Sequence, residues 1–188
     1  MRLSPIDRNN LNEAQQTVLE AIERGPRGNA RPGIGMIGPF GAWVRAPSVG
    51  GAAQALGAAI RFGSSVPENI KEVAICTVGA HFKSKFEFSA HKRLGMQAGL
   101  NETQLNQLRD GESPTFEGDE MISYRIASEM LETHGITDQT YKAGVDAFTE
   151  TCMIELVTTI GYYCLISLTL NSFQIPLEDG MEDPFPVV

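Results

Sequence analysis

Apolar residues recur every three or four positions along most of this chain, which is the spacing of one face of an α-helix. Ile70, Val73, Ala74 and Val78 show this pattern after Pro67, and proline is favoured in the first turn of a helix. Capping residues and glycine or proline breaks divide the pattern into successive helices. We predict helices at residues 10–24, 47–63, 67–78, 84–99, 101–110, 119–134, 137–148 and 153–170. Because no convincing run of alternating strand residues is present, the predicted class is all-α.

Two segments fall outside the helical pattern. Residues 25–45 carry many glycines and prolines and are predicted to form a long irregular loop, with Trp43 and Arg45 at its end. Loops of this length are uncommon in compact domains and are often functional. Residues 171–188 form a tail rich in proline and acidic residues. The length of 188 residues lies within the range of one domain, so we predict a single domain over residues 1–188.

The net charge and the cysteine pattern limit which partners and which cellular compartment are expected. The formal net charge of −8 argues against a nucleic-acid partner, because neutralising phosphates requires clustered Lys and Arg. Three cysteines without a CxxC pair are typical of a reducing compartment, and no apolar signal segment follows Met1, so we expect a cytoplasmic protein. The apolar run 156–170 is shorter than the ~20 residues that a bilayer requires, so no membrane partner is expected.

The strongest candidate for chemistry is the stretch from Ser84 to His91, with Glu72 twelve residues before Ser84 on an apolar helix. In a helix, Glu87 and His91 project from the same face, within reach of one proton or one ligand. Two structural alternatives remain open. Ser84 and Glu87 have the spacing of a capping box, and His91 lies on a stripe where it could be a hydrogen-bonded core residue.

The same residues match a known family. Glu72-Val73-Ala74-Ile75, Phe86-Glu87-Phe88 followed by His91, and Ala98-Gly99-Leu100 resemble the carboxymuconolactone decarboxylase family. The resemblance extends over nearly the whole chain. It implies an alkylhydroperoxidase D-like helical bundle that assembles as a homo-trimer or homo-hexamer, and the apolar helix 153–170 would suit that assembly.

This sequence differs from those of the redox members of the wider superfamily. The alkylhydroperoxidase D proteins carry a C-x-x-C-x-x-x-H element, and here Ser84 and Glu87 stand where the cysteines would be, while Phe86 stands where a relay His would be. Neither a hydroxyl nor a carboxylate can cycle through a disulfide. The sequence therefore predicts a member that is not a CxxC peroxidase.

The resemblance implies that the catalytic residues of a decarboxylase-like lyase are Glu72, Glu87 and His91. This reaction on a small acidic or lactone substrate needs no metal or redox cofactor, only a proton donor and groups that hold the substrate. His91 is the expected proton donor, with Glu72 or Glu87 orienting and tuning it. The expected substrate-binding residues are Arg45, Lys85, Trp43 and Ser84.

Three other interpretations stay open. The chain could keep the fold as an oligomeric binding or accessory protein without the chemistry. It could be another cofactor-free hydrolase or dehydratase that uses the same pocket. Glu72, Glu87, His91 and His81 could in principle ligate a metal, but no metal motif such as H-E-x-x-H is present. Convergence of Glu72, Glu87 and His91 on one solvent-connected cavity favours the enzyme, whereas three separate hydrogen-bonded core positions favour the binding or accessory protein.

Overall fold

The computed structural model describes residues 1–186, and this part of the chain is all-α, with no strand. The all-α prediction is therefore confirmed. Short 3₁₀ turns occur at Arg8–Asn10 and Ile34–Met36. The α-helices of residues 1–186 are α1 (Glu13–Glu23), α2 (Pro26–Ala30), α3 (Pro39–Arg45), α4 (Pro47–Gly63), α5 (Glu68–His81), α6 (Lys85–Gln97), α7 (Glu102–Asp110), α8 (Gly118–Thr133), α9 (Asp138–Ala147) and α10 (Glu150–Phe173).

The segment 25–45 is not the irregular loop that its glycines and prolines predict. It contains α2, a 3₁₀ turn and α3. The prolines Pro26 and Pro39 each occupy the first turn of a helix, where a missing N–H costs nothing, so they start helices here rather than break them. Gly33 and Gly38 have φ of +80° and +57° and make the turns between these segments.

The last helix is longer than its apolar run. α10 begins at Glu150, because the Thr149 hydroxyl accepts a hydrogen bond from the backbone N–H of Cys152 at 3.1 Å, and it continues to Phe173. Residues 171–173 therefore belong to a helix and not to the tail. Within residues 1–186, α10 is the one helix long and apolar enough to cross a membrane. Half of its apolar window is buried inside the fold.

Two compact units make up the chain. The first contains residues 1–64 and 169–176, and its core is the cluster of Val18, Leu19, Ile22 and Val44. α3 and α4 approach closely in this unit: a Cβ on Gly50 would lie 2.1 Å from the carbonyl oxygen of Trp43. No side chain fits there, which explains the glycine.

The second unit contains residues 65–168 and the tail from residue 177. α5 lies at its centre, and every residue from 70 to 79 is buried against the surrounding helices. Val73, Cys76 and Phe88 belong to its core cluster, together with Leu100, Leu105, Leu108 and Phe116. A Cβ on Gly79 would lie 3.3 Å from the backbone of Phe88, so this glycine allows α5 and α6 to pack closely. The two helices that carry the candidate site are thus held together by the core.

Candidate acid–base site

α5 and α6 bring the three predicted catalytic residues into contact. Glu72 lies on the fully buried stretch of α5 and is 1% exposed. Glu87 and His91 lie one turn apart on α6, on the face directed at α5, and both are buried. A carboxylate in such a position needs a partner that compensates its lost hydration. The packing of α5 against α6 provides His91 as that partner.

Both ring nitrogens of His91 are occupied by carboxylates. Nδ1 lies 2.6 Å from Oε2 of Glu72, and Nε2 lies 3.0 Å from Oε1 of Glu87. The side chains of Glu72, Glu87 and His91 are 1%, 4% and 10% exposed. We call these three residues the acid–base triad. The exposures show that Glu72 is sealed from solvent, while water reaches the triad mainly at the edge of the His91 ring.

The triad holds its imidazole in the charged form. Burial acts to lower the pKa of His91, but the charges and hydrogen bonds of Glu72 and Glu87 outweigh it and raise the pKa to about 9. At neutral pH both ring N–H groups therefore donate, one to each carboxylate. The imidazolium between two carboxylates therefore holds a proton in a site that is almost inaccessible to solvent.

Two further side chains contact or influence the triad, and the spacing pattern did not reveal either role. The ring of Tyr163 on α10 packs edge-on against His91, with ring centroids 4.9 Å apart. The only available signal was a Tyr162-Tyr163 pair within an apolar helix. Burial raises the pKa of the Cys76 thiol, and the charges of Glu72 and Glu87 raise it further. This thiol stays protonated and is a poor nucleophile.

The predicted capping box at the start of α6 is wrong. The Ser84 side chain makes no cap hydrogen bond, and the Glu87 carboxylate turns to His91 instead of reaching back to residue 84. A hydrogen bond to a buried imidazolium is stronger than one to a neutral backbone N–H, which explains the choice. The Ser84 hydroxyl is buried and, within residues 1–186, has no hydrogen-bond partner.

Ser84→Ala is expected to leave stability unchanged or to raise it by up to about 1 kcal/mol, because it removes a buried hydroxyl that no protein group satisfies. Urea denaturation of both proteins at pH 7 measures the difference. A loss of more than about 1 kcal/mol would show that the hydroxyl has a partner in solution, such as a bound water.

The other substrate-binding candidates lie in two places. Lys85 begins α6 in the second unit, and its Nζ lies 2.5 Å from Oδ2 of Asp183. Trp43 and Arg45 lie on α3 in the first unit, where Trp43 is buried and the Arg45 guanidinium donates to the backbone carbonyl of Ser4 at 2.8 Å. Their roles stay predictions. In the part of the chain that the structure describes, no group of three or more His, Cys, Asp or Glu residues has the arrangement of a metal site.

Stability is expected to fall at alkaline pH because of the triad. The pKa of His91 is about 9 in the folded protein and about 6.5 in the unfolded chain. Its stabilisation is therefore fully present below pH 6.5 and is lost as the pH rises through 9, with a size on the order of 3 kcal/mol. Unfolding free energies from pH 6 to pH 10 should fall more steeply in the wild type than in His91→Gln, and parallel curves would contradict the assignment.

Comparison with solved structures identifies the fold of the chain. No family model matches the chain, and no curated protein matches it in sequence. Among solved structures it is similar to the apo debrominase Bmp8, with 12% identity over 93% of this chain and 91% of Bmp8 and a TM-score of 0.67. A Bmp8 variant in complex with 2,3,4-tribromopyrrole gives 11% identity over 95% and 92%, with the same TM-score.

A third similar structure is a protein of unknown function from Agrobacterium tumefaciens, for which the antioxidant defence protein AhpD has been suggested. The identity is 16%, the match covers 70% of this chain and 92% of that one, and the TM-score is 0.61. The chain therefore has the alkylhydroperoxidase D-like helical fold, as the sequence predicts.

Proposed function

We propose that the protein is a cofactor-free acid–base enzyme, a carboxy-lyase of the carboxymuconolactone decarboxylase type, acting on a small acidic or lactone metabolite. The observation that carries the proposal is the acid–base triad, in which a single imidazolium connects two buried carboxylates. A buried group whose pKa is strongly shifted by specific charged partners is typical of catalytic sites.

The chemistry requires one proton and a place for negative charge. When an unsaturated lactone acid loses CO₂, the bond to the carboxylate carbon breaks and its electron pair stays on the ring as a dienolate. Protonation of the ring carbon completes the reaction. His91 is the donor of this proton, and solvent restores it afterwards. The two carboxylates stabilise the charged imidazole and fix the orientation of its ring.

The two glutamates have different tasks in this proposal. Glu72 makes the shorter contact to His91 and is sealed from water, so it orients the ring and holds its charge. Glu87 makes the longer contact and lies one turn before His91 on α6. It is the carboxylate that can separate from the ring when a substrate approaches.

The state of Cys76 and the residues at positions 84 and 87 support this reaction class over thiol chemistry. The Cys76 thiol is buried beside two carboxylates and stays protonated, and Ser84 and Glu87 provide no redox pair. A structure with the same fold, Bmp8, is described as a debrominase, and its variant binds 2,3,4-tribromopyrrole. That ligand supports a small unsaturated ring as the class of substrate.

The proposal is tested by CO₂ release from γ-carboxymuconolactone and related unsaturated lactone acids, with the wild type compared with Glu87→Gln. The amide keeps the size of Glu87 but cannot carry its charge or proton. We expect turnover by the wild type and a marked loss in the variant. Absence of CO₂ release from every lactone acid by a folded wild type would contradict the decarboxylase proposal.

An exposed apolar surface favours assembly of the protein into oligomers, whether or not it is an enzyme. One side of α10 in the second unit exposes apolar side chains, among them Ile154 at 63% and Leu168 at 53%. Exposed apolar patches of this kind mark interaction surfaces. We propose a homo-oligomer, a trimer or a hexamer, that buries this side of α10. Light scattering of the wild type and of Ile154→Glu tests it, and a monomeric wild type would contradict it.

A further inference from the structure

A cleft of about 570 Å³ lies in the second unit between α6, the end of α7 and the tail. The tail is fastened to α6 by three contacts. Asp183 pairs with Lys85, the Ser89 hydroxyl donates to the backbone carbonyl of residue 182 at 3.3 Å, and the Phe185 ring packs on Phe88 with centroids 5.3 Å apart. We call this space the tail cleft. None of the triad side chains lines it, so it is separate from the candidate active site.

Cationic hydrogen-bond donors in the tail cleft remain available for a ligand. Arg93 is exposed and has no ion pair or hydrogen bond to any residue in the described range 1–186. Arg109 uses Nε and Nη2 on Asp110, which leaves Nη1 available. Lys92 also lines the cleft and uses two of its three donors on α7 residues. Unused guanidinium donors suit a carboxylate, which can accept two hydrogen bonds at once.

Two of the three carboxylates that line the cleft are already hydrogen-bonded, and the third, Glu182, is exposed. Both oxygens of Asp110 accept from Arg109, and both oxygens of Asp183 are taken by Lys85 and by the backbone N–H of Phe185. The lining nevertheless contains three acidic and three basic side chains, so its formal charge is zero. A single negative charge is therefore compensated by the unused donors, whereas a second one would meet the acidic side chains.

Apart from Ser89, the remaining lining is apolar and comes largely from the tail. Met181 and Pro184 are partly buried, and their side chains carry no hydrogen-bond donors. The volume lies in the range of small-molecule sites. We propose that the tail cleft is a binding site for a small monoanionic carboxylate with a planar apolar body, held by Arg93 and Arg109. This proposal stands independently of the reaction at the triad.

Benzoate titration by isothermal calorimetry tests the proposal, with benzamide and inorganic phosphate as comparison ligands. Benzamide has the same ring without the charge, and phosphate has the charge without the ring. Arg93→Gln removes the unpaired guanidinium. Arg125→Gln is the matched control, because Arg125 is also exposed but does not line the cleft. Circular dichroism checks that both variants fold.

We expect saturable binding of benzoate to the wild type and to Arg125→Gln, and about tenfold weaker binding to Arg93→Gln, the effect of losing one charged hydrogen bond. Benzamide and phosphate should both bind more weakly than benzoate. The proposal would be overturned by no saturable heat with benzoate, by equal affinity for benzamide, or by equal affinity of the two arginine variants. Tighter binding of phosphate would also overturn it, since it would indicate a general anion site.

Discussion

Replacing His91 by glutamine is expected to lower kcat/KM on the lactone acid substrate by about 10²–10⁴-fold, the usual contribution of a general acid. Glutamine fills most of the space and can still donate to a carboxylate, but it has no proton to transfer. Initial rates of CO₂ release measure the effect. Because the ring contacts both carboxylates of the triad, we expect this to be the largest loss of activity from any single substitution.

The matched control is His81→Gln, which changes an exposed histidine at the end of α5 and should keep the wild-type rate. Circular dichroism shows whether His91→Gln is folded. A folded His91→Gln protein with undiminished turnover would exclude His91 as the proton donor. If only His81→Gln lost activity, the active site would have to be sought elsewhere.

The largest loss of stability is expected from Glu72→Ala, at about 3–5 kcal/mol, because removing one partner of a buried ion pair leaves the other without compensation. The pKa of His91 should fall in this variant, since one of the two carboxylates that raise it is gone. Urea denaturation at pH 7 measures the stability. The fully buried position of Glu72 on α5 leaves little room for water to replace the missing group.

Glu132→Ala is the control for this experiment, because Glu132 is an exposed glutamate on α8 of the same unit. Its substitution should change stability by no more than about 0.5 kcal/mol. A Glu72→Ala protein as stable as Glu132→Ala would mean that the carboxylate contributes nothing to the fold, and the triad would then lack its buried anchor.

The sequence predicts the helices of this protein well where periodic apolar residues are bounded by caps. α4 begins and ends where Pro47 and Gly63 indicate, and α7 begins after the Asn101 cap. The helix prediction is wrong between residues 25 and 45, because proline and glycine occur both in loops and at the ends of short helices. α10 begins three residues before its predicted start, because Glu150 and Thr151 are polar and the helix start depends on the Thr149 cap and not on apolar periodicity.

The candidate site could be predicted in part for a physical reason. A glutamate on an otherwise apolar helix needs a polar partner. The i, i+4 spacing places Glu87 and His91 on one face of their helix, where they can provide that partner. The contact between Glu72 and His91 spans nineteen residues and depends on the packing of α5 against α6, which no local pattern specifies. The capping box failed for the same reason: a tertiary partner competed successfully for the Glu87 carboxylate. Tyr163 lies further still along the chain.

The proposed chemistry depends on a protonated His91, and an NMR titration of its imidazole measures that protonation. The chain has three histidines, so ¹⁵N-labelled imidazoles can be assigned by comparison with His91→Gln and His81→Gln. We expect His91 to carry protons on both ring nitrogens at pH 7 and to titrate near pH 9. A neutral His91 ring at pH 7, with a pKa at or below 6.5, would contradict the imidazolium between two carboxylates and the proton donor built on it.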